Sequence, residues 1–204
     1  IGDRANHEVL NAYEQLRDLE RSIQLNSMVQ LRHRIEHVQI LHPQDVGRLS
    51  KMNIIASMQP IHATSDMEMA DRFWGKRSVL AYAWREQIMR GAKLVFGSDA
   101  PVESPNPFWG IHAAVTRRRG DGSPSIHGWY PEQRLNIHEA LSAFTTGPAF
   151  AAGTEAKVGR IEPGFFADLI ILNEDPFSCL PDDIINIHPL ATMVGGEWVY
   201  LGME

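Results

Sequence analysis

Three positions combine a side chain able to do chemistry with a place where a fold can use it. His37 stands in Ile35-Glu36-His37-Val38-Gln39 and Asp99 in Gly97-Ser98-Asp99-Ala100-Pro101, each at the end of a short strand-like run. A neutral imidazole and a carboxylate converging at the carboxyl ends of parallel strands suit a divalent metal such as zinc. Asp99 can also act as general base toward an activated water. His62, in Gln59-Pro60-Ile61-His62, follows another apolar run and faces the same mouth. The plainer readings carry weight. A single strand histidine is more often a hydrogen-bonded core residue than a ligand, and an Asp before Ala-Pro is often a turn-former. His7, His33, His42, His112, His127, His138 and His188 fall on expected helix faces or in loops and read as structural.

The elements that must position these residues alternate. Asn6 to about Gln24 is helical, with Val9, Leu10, Tyr13, Leu16, Leu19 and Ile23 on one stripe. A strand follows over Arg34–Gln39, then a short helix opened by Pro43 and carrying Val46, Leu49 and Met52. Ile54–Met58 reads as a buried parallel strand. Ser78–Arg90 is helical with Gly91 as its stop, Lys93–Gly97 is a strand, and Phe108–Arg118 a helix. Asn136 caps a helix through Leu141 and Phe144, and Gly147-Pro148 interrupts before Ala149–Ala152. Strand then helix, three times with short loops, predicts a parallel βα array. After Gly153 the texture changes to short strands over Val158–Ile161, Asp168–Leu172 and Thr192–Leu201, the last turning at Gly195-Gly196. The division predicted is therefore 1–152 and 153–204.

Composition narrows the function. The 204 residues carry 19 Lys and Arg against 25 Asp and Glu, a net charge of −6 that offers no footprint for nucleic acid or an anionic membrane. The basic run Arg117-Arg118-Arg119 reads as a solvated helix end. No apolar stretch approaches the ~20 residues of a membrane span. A lone Cys179 excludes an internal disulfide and a Cys-based zinc site, and favours a cytoplasmic location. The length falls short of the roughly 250 residues of a complete (β/α)8 barrel.

Taken in order along the chain, several motifs carry a resemblance. They are Ile1-Gly2-Asp3-Arg4-Ala5, Arg34-Ile35-Glu36-His37-Val38-Gln39, Ser57-Met58-Gln59-Pro60-Ile61-His62 and Gly97-Ser98-Asp99-Ala100-Pro101. The later stretches Gly159–Gly164, Ala167-Asp168-Leu169, Asp175-Pro176 and Val194–Tyr200 agree. Together they resemble the second half of an amidohydrolase-superfamily enzyme, of the family 3 group that includes N-substituted formamide deformylase-like hydrolases.

The resemblance implies an α/β fold: about units six to eight of a distorted TIM (β/α)8 barrel, with part of a small β-sandwich over 153–204. It implies a metal-dependent hydrolase of C–N bonds in a non-peptide amide or cyclic amide, acting through a metal-activated water. His37 then holds the divalent metal, zinc by preference, Asp99 is both ligand and proton acceptor, and His62 hydrogen-bonds a small-molecule substrate. The remaining ligands would lie upstream of Ile1, which leaves two ligand positions here, too few for a catalytic zinc. Specificity is expected in loops over Met67–Arg77 and Glu103–Tyr130. The alternative is a non-catalytic fragment stabilised by self-association. A half-barrel would open residues among Ile35, Ile55, Met58, Leu94 and Phe96 to solvent and leave a sheet edge bearing Trp198, Val199 and Tyr200, so a homo-oligomer, most simply a dimer, is expected.

Overall fold

The computed structural model describes residues 1–22 and 31–202. The apolar runs do form a parallel sheet, β1 (Arg34–Glu36), β2 (Ile55–Met58) and β3 (Leu94–Phe96), in that order. Ala56 pairs with both Ile35 and Leu94, so these three share one face. Helices cover that face. α2 (Arg48–Lys51) packs near β2, and α4 (Trp84–Met89), α6 (Ile137–Phe144) and α7 (Thr146–Ala152) pack on β3. α3 (Pro60–Trp74) lies against α5 (Pro107–Thr116). Phe96 makes edge contacts with Trp84 and Phe144, at 5.9 and 5.6 Å between ring centres.

Local chemistry sets the helix ends. Asn106 caps α5 by accepting from Phe108 N, with Pro107 in the first turn. Asn136 and Glu139 form a reciprocal capping box at α6. α7 ends at Ala152, where Gly153 turns left-handed at φ 74°.

The five strand residues among which some were expected to face an open interior are all buried. Ile35, Met58, Leu94 and Phe96 belong to the helix-covered core, because strand alternation directs them there; Ile55, outside that cluster, is covered too. The opposite face of β1 instead carries Arg34 and Glu36, which pair with each other at 2.5 Å.

Several sequence expectations are corrected. The helix α1 (Asp3–Ser22) buries only Asn6 and Leu10, while Val9 and Leu19 stay exposed; Ile23 and Gln24 lie outside the described residues. Polar ties hold α1 instead: Asn6 Nδ2 donates to Ile40 O at 2.8 Å, and His7 meets the buried Asp45 at 3.0 Å. Met67–Trp74 continues α3 rather than forming a loop, whereas the helix expected over Phe108–Arg118 does form, as α5. Ser78–Arg90 splits into a 3-10 helix, Gly75–Leu80, and α4, because residues 81–83 leave helical geometry. No strand forms over Val158–Ile161.

The basic run is the largest reversal. Arg117 is the left-handed C-cap of α5 and is fully buried, not solvated. Its Nε donates to Trp129 O at 2.7 Å and its Nη1 to Tyr82 O at 3.0 Å. Trp84 and Trp129 flank its guanidinium at 4.4 and 4.8 Å. Burial pushes its pKa down to about 9. Gly128 permits the turn that brings Trp129 here: a Cβ at 128 would sit 2.3 Å from Thr116 O. Only Arg118 and Arg119 reach outward, to Asp182 and Glu68.

The later segment forms an antiparallel sheet, β4 (Leu169–Leu172), β5 (Pro189–Val194) and β6 (Glu197–Leu201), with Gly195-Gly196 as the β5–β6 turn. A 3-10 turn, Asp183–Asn186, packs on α5 and places Ile184 in the main core, joined by Ile187.

Candidate metal centre

Strand direction brings the three singled-out residues to one rim. His37 directly follows β1, Asp99 lies three residues past β3, and His62 sits in the first turn of α3, just after β2. The backbone is bent sharply to present them. His37 (φ 69°), Val38 (φ 42°) and Asp99 (φ 60°) all occupy the left-handed region. Asp and His tolerate that region better than most residues, whereas a β-branched Val there is strained.

One donor atom from each of His37, His62 and Asp99 lies within 4.8 Å of the others. His62 Nε2 is 3.4 Å from Asp99 Oδ2, and the two imidazole rings are 6.1 Å apart. The histidines are half-buried, while Asp99 faces solvent. The structure therefore groups three donors where two were expected. The family resemblance implied a substrate contact for His62, through the Gln59-Pro60-Ile61-His62 pattern.

A second layer surrounds them. His37 Nδ1 meets Gln59 Oε1 at 3.0 Å, and His62 Nδ1 meets Glu103 Oε1 at 3.4 Å. Ser65 Oγ, one turn along α3, donates to the same Glu103 oxygen at 2.7 Å. Beneath the rim, Gln39 Nε2 donates to Asp66 Oδ2 at 3.0 Å and to Tyr82 Oη at 2.9 Å, and Tyr82 donates to Asp66. Burial and the Asp66 carboxylate hold the Tyr82 phenol well above its ordinary pKa, so it stays a donor. Sequence reasoning gave Gln59 no role and left Glu103 in a variable loop. Nothing in the local pattern marks Glu103, whose contact with His62 spans 41 residues.

Two imidazoles and a carboxylate fit a borderline-soft divalent ion of the zinc type. Mg²⁺ and Ca²⁺ favour all-oxygen shells, which this donor set does not match.

Comparison with known proteins places the chain in a family. The amidohydrolase family model matches residues 1–200. The chain is 34% identical to protein LONG AFTER FAR-RED 3 of Arabidopsis thaliana, over 98% of this chain and 33% of that protein. It is 32% identical to the putative amidohydrolase YtcJ of Bacillus subtilis, over 98% and 36%. With N-substituted formamide deformylase of Arthrobacter pascens it shares 28%, over 98% and 35%. An uncharacterised metal-dependent hydrolase from Pyrococcus horikoshii superposes with a TM-score of 0.72 at 29% identity, covering 89% of this chain and 34% of that one. The chain thus spans about a third of the length of the curated relatives it matches.

Proposed function

Because the chain belongs to the amidohydrolase family, we propose that it carries part of the active centre of a metal-dependent hydrolase. The bond cleaved is the C–N bond of a small non-peptide amide or cyclic amide. The observation that carries this reading is the meeting of His37, His62 and Asp99 within 4.8 Å at the carboxyl rim of β1–β3. Similarity to an amide-cleaving deformylase and to a metal-dependent hydrolase supports it.

His37, His62 and Asp99 would hold a zinc ion, which when bound polarises the carbonyl and activates water. His62 is assigned to the donor set, rather than to the substrate, because its Nε2 faces Asp99 at 3.4 Å. Asp99 accepts a proton from the attacking water and returns it to the nitrogen as the C–N bond breaks, so the products are a carboxylic acid and an amine. Its solvent-facing position gives a substrate access to that carboxylate. The left-handed backbone at His37 and Asp99 fixes the directions from which both reach the rim.

Metal analysis tests the site. One equivalent of zinc is expected in the native protein, with affinity lowered more than about a hundredfold in His37→Ala. Asp99→Asn is expected to abolish amide hydrolysis by the full protein, and an active Asp99→Asn variant refutes the proton transfer. A second reading, a non-catalytic chain held by self-association, is favoured by the uncovered β4–β6 sheet, where Val199 and Leu201 are 62% and 64% exposed. A dimer by sedimentation, together with no zinc uptake, selects that reading.

A further inference from the structure

Gln59 occupies the N-cap position of α3, yet its side chain makes no capping bond to the helix. Gln is not among the short polar residues that cap helices, so its longer side chain is free to reach a partner beyond the first turn. Here it reaches His37, with Oε1 at 3.0 Å from Nδ1. With the amide oxygen toward the ring, this contact is a hydrogen bond only if Nδ1 carries the imidazole proton, which leaves Nε2 its lone pair. Pro60, next in the chain and first in the helix, clashes with helical geometry at Gln59. Gln59 accordingly holds extended backbone angles, φ −123° and ψ 100°, and is buried. Helix start, proline and amide therefore act as one rigid mount.

We propose that Gln59 is a positioning residue that fixes the tautomer of His37 and aims Nε2 at the three-donor cluster. The role rests on the cation-site reading above for its purpose, but not for its geometry. His62 makes an internal contrast. Carboxylates face both of its nitrogens, Glu103 at Nδ1 and Asp99 at Nε2, each at 3.4 Å, so no single neighbour dictates its proton. Among the described residues the His37 ring makes one side-chain hydrogen bond, to the neutral Gln59 amide.

The test labels histidine with ¹⁵N in the full chain and records long-range ¹H–¹⁵N correlations at pH 8.5, above the ordinary imidazole range of about 6.5. In native protein His37 is expected as the Nδ1–H form. Gln59→Glu keeps an acceptor oxygen and should keep that form, whereas Gln59→Leu should convert His37 to a mixture without moving His62. Zinc affinity, from competition with a chelator, should fall about 10- to 100-fold in Gln59→Leu and recover most of that loss in Gln59→Glu. A proton on Nε2 of His37 in the native protein overturns the proposal whatever the variants do. So does an unchanged tautomer in a folded Gln59→Leu. Should native protein take up no zinc while the Gln59→Leu tautomer shift appears, the cation reading fails and the role of Gln59 stands.

Discussion

The two sheets of this chain are built from similar residues and meet opposite fates. β1–β3 are only three or four residues long, yet their core-facing side chains are buried beneath helices on every strand. β5 and β6 are longer, at six and five residues, but Ala191 alone among the residues of β4–β6 is buried, and β6 is exposed throughout. Ile170 and Ile171 project to opposite faces and both remain about half exposed. Apolar content therefore did not decide burial; the presence of crossover helices did. Parallel strands require such crossovers, and each crossover delivers a covering helix, whereas the β5–β6 turn delivers none and the β4–β5 connection packs its 3-10 turn on α5. The candidate site lies on the packed sheet, where close packing can hold donor atoms in place.

Substitutions sharpen this contrast, beginning with the largest effect. Phe96→Ala removes a ring held between Trp84 and Phe144 and should cost about 3–5 kcal/mol in urea unfolding. A loss under about 1 kcal/mol would mean the parallel sheet is no better packed than its counterpart. Next comes the pairing of Arg85 with both oxygens of Glu139, at 2.7 and 2.6 Å, which ties α4 to α6. Partial burial raises the Glu139 carboxyl, but the Arg85 bond and the Asn136 amide outweigh it, and the net shift is downward from 4.5. The native state therefore releases this proton more readily than the unfolded chain. Its stabilisation is complete above about pH 4.5 and is lost as pH falls through that range. Glu139→Gln should cost about 1 kcal/mol at pH 7 and flatten the acid limb of a stability profile. The smallest effect belongs to the second sheet. Trp198→Ser should change unfolding stability by about 0.5 kcal/mol or less while shifting association or solubility. A cost above about 2 kcal/mol would show that this sheet is packed after all.

Much of this was legible in the sequence. Short apolar runs located β1, β2 and β3, and residues just past their ends located His37 and Asp99, because parallel strands put chemistry at their carboxyl ends. The Gly195-Gly196 turn was equally plain. What escaped was set by distant partners. Arg117 looks like any surface cation until Trp84 and Trp129, from separate segments, close over it. Glu103 gains meaning only from His62, and Val158–Ile161 has strand-like residues but no strand beside it to complete a ladder. The stripe on α1 illustrates the converse: helical spacing was right, but among the described residues nothing apolar covers Val9 or Leu19.

The left-handed backbone at Asp99 implies a conflict of selection within a single residue. Its side chain is exposed, so replacing it sacrifices no burial, while glycine enters that conformation freely. Asp99→Gly should then unfold at a higher temperature than the native protein, by the few degrees that about 0.5–1 kcal/mol provides. A screen for heat resistance alone would drift toward that glycine and collect proteins that outlast the parent without turning over substrate. Thermal melts of the two proteins decide whether the chain accepts a less stable fold at residue 99 in return for a carboxylate at the rim.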